Sequence, residues 1–238
     1  MMPSRRLAAL GALLATLPPS ARQMASRRYG LVAVVPLAWP LLLYALLFVG
    51  DGGGGYTERS VQGLLIGLPL AALGIFLGVR VIAAEIDQRT LEIAYTVPGG
   101  AGRIWTAKLI AAALLMVAAE LTLAAAVFLL LTDFPFEALV ASLQVGLFFL
   151  VVATGTGALF RGAISGALAA VVVLAVALLF AGSAYSPFWS PLTVSGQDPG
   201  EVQALWLRNR LGYLLLGAAC LALAYSRAER RERMLDGG

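Results

Sequence analysis

Apolar residues in this chain come in long runs, without the strict alternation of half-buried strands or the i, i+3, i+4 stripe of a soluble surface helix. Crossing a bilayer core takes about twenty apolar residues at a rise of about 1.5 Å each. Runs of that length cover roughly residues 30–50, 61–84, 109–131, 138–160, 163–186 and 205–226. The pattern predicts an all-α membrane protein with six transmembrane helices. Arg208 and Arg210 interrupt the start of the last run, whose uncharged core begins at Leu211. Gly63-x3-Gly67, Gly74-x3-Gly78 and Gly162-x3-Gly166 have the small-xxx-small spacing that lets helix backbones approach closely. Pro36, Pro40 and Pro69 predict kinks.

The polar segments between the runs set an orientation. Fourteen of the seventeen basic residues fall in the N-terminal 29 residues, the segment between runs two and three, the loop between runs four and five, and the tail after residue 226. The opposite side holds only Arg59, Arg208 and Arg210, beside Asp51, Glu58, Asp133, Glu137, Asp198 and Glu201. The positive-inside rule then puts both termini in the cytoplasm of a multi-pass cell-membrane protein. Three parts follow: residues 1–29 as a cytoplasmic N-terminal segment, 30–226 as the membrane domain, and 227–238 as a basic cytoplasmic tail. Arg5-Arg6 followed by LAALGALLATL is expected to form an amphipathic helix on the cytoplasmic surface. A cleaved signal or a start at Met24 are the alternatives, and the missing A-x-A site weighs against the signal.

Composition sharpens this. Of 238 residues, 60% are hydrophobic and 13% charged, and mean hydropathy is +0.87, far from an ordinary soluble domain. There is no histidine, which removes histidine-based metal sites and His-dependent catalytic triads. Cys220, the one cysteine, lies in an apolar run as a small packing residue. The pI near 9.6 reflects arginines at the ends of apolar runs, so no nucleic-acid partner is expected. Lys108 is the sole lysine, and Thr106-Ala107-Lys108-Leu109 has neither the glycine nor the hydroxyl of a P-loop, so no ATP site of that kind is expected in this chain.

The most distinctive stretch is EIDQRTLEIAYTVPGGAGRIWTAK, residues 85–108. Ile86, Thr90, Ile93 and Val97 share one helical face and charged residues fill the rest, until Pro98-Gly99-Gly100 stops the helix. The order Glu85, Thr90-Leu91-Glu92, Pro98, Arg103 and Lys108-Leu109 resembles the corresponding segment of the type-2 ABC-transporter permeases. Arg89 stands where that family usually carries glycine, and two extra small residues separate Pro98 from Arg103. The N-terminal surface helix, the six runs and the basic tail also resemble that family, over the chain after about residue 24.

The resemblance implies that this segment holds a coupling helix that docks a separate ATP-binding cassette subunit through Glu85, Asp87, Arg89, Thr90, Leu91, Glu92 and Arg103. It implies an exporter's membrane subunit, paired with a second copy or a similar permease, with ATP and magnesium bound by the partner and no cofactor here. A haem-export or cytochrome-maturation permease, and a non-transporting assembly subunit that docks an ATPase, remain alternatives. A membrane enzyme acting on lipid would need clustered acids or histidines, and only Glu120 lies deep in a run. Glu120 is expected either to line a path or to pin helices together. Residues 186–206 place Phe188 and Trp189 between two prolines on the external side, as interface anchors or as the external gate that the resemblance implies.

Overall fold

A computed structural model describes residues 29–49, 56–88, 100–194 and 198–228. Its elements in chain order are α1 (Tyr29–Val34), a 3-10 turn (Val35–Leu37), α2 (Ala38–Val49), α3 (Glu58–Ser60), a π-helical turn (Val61–Leu65) and α4 (Gly67–Gly78). They continue with α5 (Ala83–Asp87), α6 (Gly100–Leu130), α7 (Phe136–Phe160), α8 (Ala163–Leu179), a 3-10 turn (Pro191–Thr193) and α9 (Pro199–Ala228). All regular structure among the described residues is helical. Val61–Gly78, Gly100–Leu130, Phe136–Phe160 and Pro199–Ala228 are long and apolar enough to cross a membrane, and Val35–Leu47 and Ala163–Leu179 are shorter apolar stretches. The expected surface helix in residues 1–28, and the tail beyond Ala228, lie outside the described residues.

Several boundaries move from the hydropathy runs. The third run starts within a helix that already begins at Gly100, whose φ of 75° makes glycine the natural starter. The fifth run stops being helical at Leu179, because the chain then folds through successive tight turns, Ser183 N–H to the Phe180 carbonyl and Ser186 N–H to that of Ser183. The Ser186 hydroxyl turns back to donate to the Ala177 carbonyl at 2.8 Å, satisfying a helix-end acceptor. Helix α9 starts at Pro199, earlier than hydropathy placed it, with proline in its first position and Glu201 in its first turn. The second run breaks at 79–82 before α5. Pro36 sits in the 3-10 turn that interrupts the first apolar run, whereas Pro40 and Pro69 fall in the first turns of α2 and α4, where no amide hydrogen is required.

Helix α7 is the hub, packed by α4, α8 and α9. In lipid, helices gain little by hiding apolar surface from one another, so close backbone packing and interhelical hydrogen bonds hold them. A Cβ at Gly74 would overlap the Gly146 carbonyl oxygen, and one at Gly78 would overlap that of Leu150. Beside them Thr154 Oγ1 donates to the Gly78 carbonyl at 3.1 Å, and between α7 and α8 Thr156 Oγ1 donates to that of Gly166 at 2.8 Å. The bundle has a basic end, where α5, the start of α6, the α7–α8 turn and the end of α9 meet. The segment 180–194 folds at the opposite end.

Candidate functional site

At the basic end, α5 carries Glu85 inward toward the first turns of α6. Lys108 Nζ forms an ion pair with Glu85 Oε1 at 2.6 Å, and Trp105 Nε1 donates to Glu85 Oε2 at 2.8 Å. All three side chains are buried. Trp105 also meets Tyr225 of α9 edge-to-face at 6.1 Å between ring centroids, and the Tyr225 hydroxyl lies 3.1 Å from Thr106 Oγ1. Spacing explains the convergence: Trp105 and Lys108 are three residues apart and share one helix face. A buried clamp thus joins α5, α6 and α9.

Asp87, two residues beyond Glu85, is exposed and turns the other way. Its Oδ2 accepts the Ala163 N–H at 3.0 Å, capping an α8 whose own N-cap residue, Gly162, has no side chain to offer. Arg103 is exposed on α6. Arg89, Thr90, Leu91, Glu92 and Pro98 lie outside the described residues. Of the positions expected to dock a partner, the structure thus brings Glu85 and Asp87 to the basic end in roles that tie elements of this chain together.

A second polar centre forms at the opposite end. Arg210, 5% exposed, donates Nη1 to the Pro187 carbonyl at 3.2 Å and Nη2 to that of Trp189 at 2.8 Å. Gln62 Nε2 donates to the same Trp189 carbonyl at 2.6 Å, from the π-helical turn before α4. Asn209 Nδ2 reaches the carbonyls of Ala184 and Ser186 at 2.8 and 2.9 Å, and the Tyr213 hydroxyl reaches that of Tyr185. Phe188 and Trp189 are buried beneath this lattice, Phe188 lying 6.1 Å from Phe149 between ring centroids. The segment 184–189 is thereby fastened as a plug between the π-helical turn before α4 and helix α9.

Glu120 lies on the buried stripe of α6 with Met116, Ala119 and Leu123, and its Oε1 has no hydrogen-bond partner among the described residues. The grouping of Gln62, Asn209, Arg210 and Tyr213 is not evident from hydropathy, which puts Arg208 and Arg210 at the edge of a span. With the helix starting at Pro199, Arg210 stands about three turns inside it. The signal that could have found it is Asp198-Pro199-x-Glu201, a helix-start pattern upstream of the apolar run. No protein family, no curated protein and no solved structure matches the chain.

Proposed function

We propose that the chain is the membrane subunit of an ATP-driven ABC exporter. Two copies, or one copy with a similar permease, enclose the path, and a separate ATP-binding cassette subunit docks on residues 89–97 from the cytoplasm. In this reading the two shorter apolar stretches complete six spans, and the basic end is cytoplasmic. The observation that carries the proposal is the buried Glu85–Lys108–Trp105 clamp at the neck of the segment that resembles a coupling helix. A force applied to residues 89–99 would pass at once to α6, through Tyr225 to α9, and through Asp87 to α8.

Helix α9 gives the force a destination. The sixteen residues from Arg210 to Tyr225 form a continuous helix about 22 Å long, with the clamp near one end and the plug carbonyls at the other. Closure of two ATP-loaded subunits would tilt α9 and loosen the plug at 184–189, alternating access to the path.

Co-purification tests the docking surface. Arg89→Glu with Glu92→Arg should release the ATP-binding subunit from the solubilised complex while the membrane subunit keeps its thermal midpoint. Asp87→Ala serves as a control for damage to α8. Full retention of the partner with normal ATP turnover in the Arg89/Glu92 variant refutes the assignment.

A further inference from the structure

The second apolar run opens on an uncommon turn. Val61–Leu65 is π-helical, and the Ile66 N–H reaches five residues back to the Val61 carbonyl at 3.0 Å. Such a turn holds one residue more than an α turn, and single π turns recur at functional sites. Three residues fit the chain to it. A Cβ at Gly67 would overlap the Gln62 carbonyl oxygen, so only glycine lets that carbonyl close in. Pro69, five residues after Leu64, has no N–H to give in the π register. The Leu64 carbonyl instead accepts the indole N–H of Trp39, from α2, at 2.9 Å.

The turn carries Gln62, whose side chain is 2% exposed and donates to the Trp189 carbonyl at 2.6 Å. Arg210 holds the same carbonyl from a regular helix, so of the two grips on it only that of Gln62 depends on the π register. A change to i→i−4 bonding would drop the extra residue from the turn. The residues before Gly67 would then move by one helix position, about 100° of rotation and 1.5 Å of rise. Gln62 loses the Trp189 carbonyl in such a rotation. In that α register the Leu68 N–H serves the Leu64 carbonyl, and Pro69 leaves the Leu65 carbonyl unserved. The Trp39 indole therefore favours the π register.

We propose that the π-helical turn at Val61–Leu65 is a register switch for the plug. In the π register Gln62 latches segment 184–189; passage to the α register, opposed by the Trp39 hydrogen bond, turns Gln62 away and loosens it. The switch needs no ATP-binding partner and acts on the plug whatever moves it.

Amide exchange of the full-length protein in phosphatidylcholine nanodiscs tests the switch. The Ser186, Phe188 and Trp189 N–H groups are bonded within the segment and report its opening, with α7 as the control for global stability. Gly67→Ala excludes the π register through the Gln62 carbonyl, while the added Cβ stands in ordinary contact with Phe188 Cε1 at 3.6 Å. Trp39→Phe removes the donor that favours that register. Each variant should speed exchange of the three amides about fivefold, the worth of one buried hydrogen bond, and leave α7 unchanged. Deleting Gly63, which has open space about it, takes out the extra residue, so the turn becomes α-helical with Gln62 near its present place. In that background neither Gly67→Ala nor Trp39→Phe should speed exchange. Wild-type exchange in Trp39→Phe or in Gly67→Ala overturns the proposal, as does an acceleration that survives the deletion. Should Gly67→Ala not fold, Trp39→Phe with and without Gly63 decides the matter by the same outcomes.

Discussion

Lys108→Met removes the positive half of the Glu85–Lys108 ion pair and leaves the Glu85 carboxylate buried. At 2.6 Å and an effective dielectric constant near 20, the lost attraction is about 6 kcal/mol. In the wild type this offsets a desolvation penalty of several kcal/mol per ion, so the pair contributes little net stability. Breaking it from one side is different, because the carboxylate keeps its penalty and loses its counter-charge, a cost of about 3–5 kcal/mol. The Trp105 hydrogen bond to Oε2 remains and limits the damage. Lys108→Met should therefore lower the thermal midpoint of the detergent-solubilised protein by about 10 °C. Glu85→Gln added to Lys108→Met removes both charges and leaves an acceptor for Trp105. That double variant should lie within about 1 kcal/mol of the wild type. A single variant as stable as the wild type, or a double variant no better than the single, would refute the view that Glu85 is a buried, ionised anchor.

Three further outcomes follow from the packing. Gly74→Ala, which drives a Cβ into the Gly146 carbonyl, should cost about 1–3 kcal/mol in thermal or denaturant unfolding, whereas Gly63→Ala, with open space around it, should change stability little. Arg210→Met removes the donors to the Pro187 and Trp189 carbonyls, so amide exchange across residues 184–190 should accelerate at least tenfold while that of α7 stays unchanged, as expected of a locally opening unit. Asp87→Ala should cost about 0.5–2 kcal/mol through the lost α8 cap, and Asp87→Asn, which keeps an acceptor, should recover most of it.

Hydropathy read the architecture well where helices are both long and uncharged. Helix α7 begins within two residues of its expected start and ends at Phe160 as expected, its one charged residue, Glu137, lying in the first turn. It read badly where polar residues enter the bundle. Helix α9 begins at Pro199, and its first three turns carry Arg208, Asn209 and Arg210, which a transfer scale counts as water-facing. Arg210 is buried because backbone carbonyls of the plug receive its donors, and no one-dimensional scale registers a partner some twenty residues away in sequence. The glycine pairs show the same limit. Gly74-x3-Gly78 was legible as a contact surface, but its partners Gly146 and Leu150 are set by the register of α4 on α7. The 85–108 segment was legible as unusual from its charge and its Pro-Gly-Gly stop. That Glu85 would pair with Lys108, and Asp87 with the α8 terminus, depended on how α5 packs beside α6 and α8.

The central claim is that residues 89–97 face an ATP-binding partner. Glu92→Cys in a Cys220→Ala background places a single thiol there. Cys220 packs against Gly155, so its replacement by alanine leaves that contact open. Native membranes carrying this variant are treated with a thiol-to-amine cross-linker, and adducts are identified by mass spectrometry. The account predicts a dominant adduct with a protein that bears a P-loop, competed away when Arg89→Glu is added, and no such adduct from Arg208→Cys at the opposite end. Absence of a P-loop protein at residue 92, or an equal yield of it from residue 208, would contradict the account.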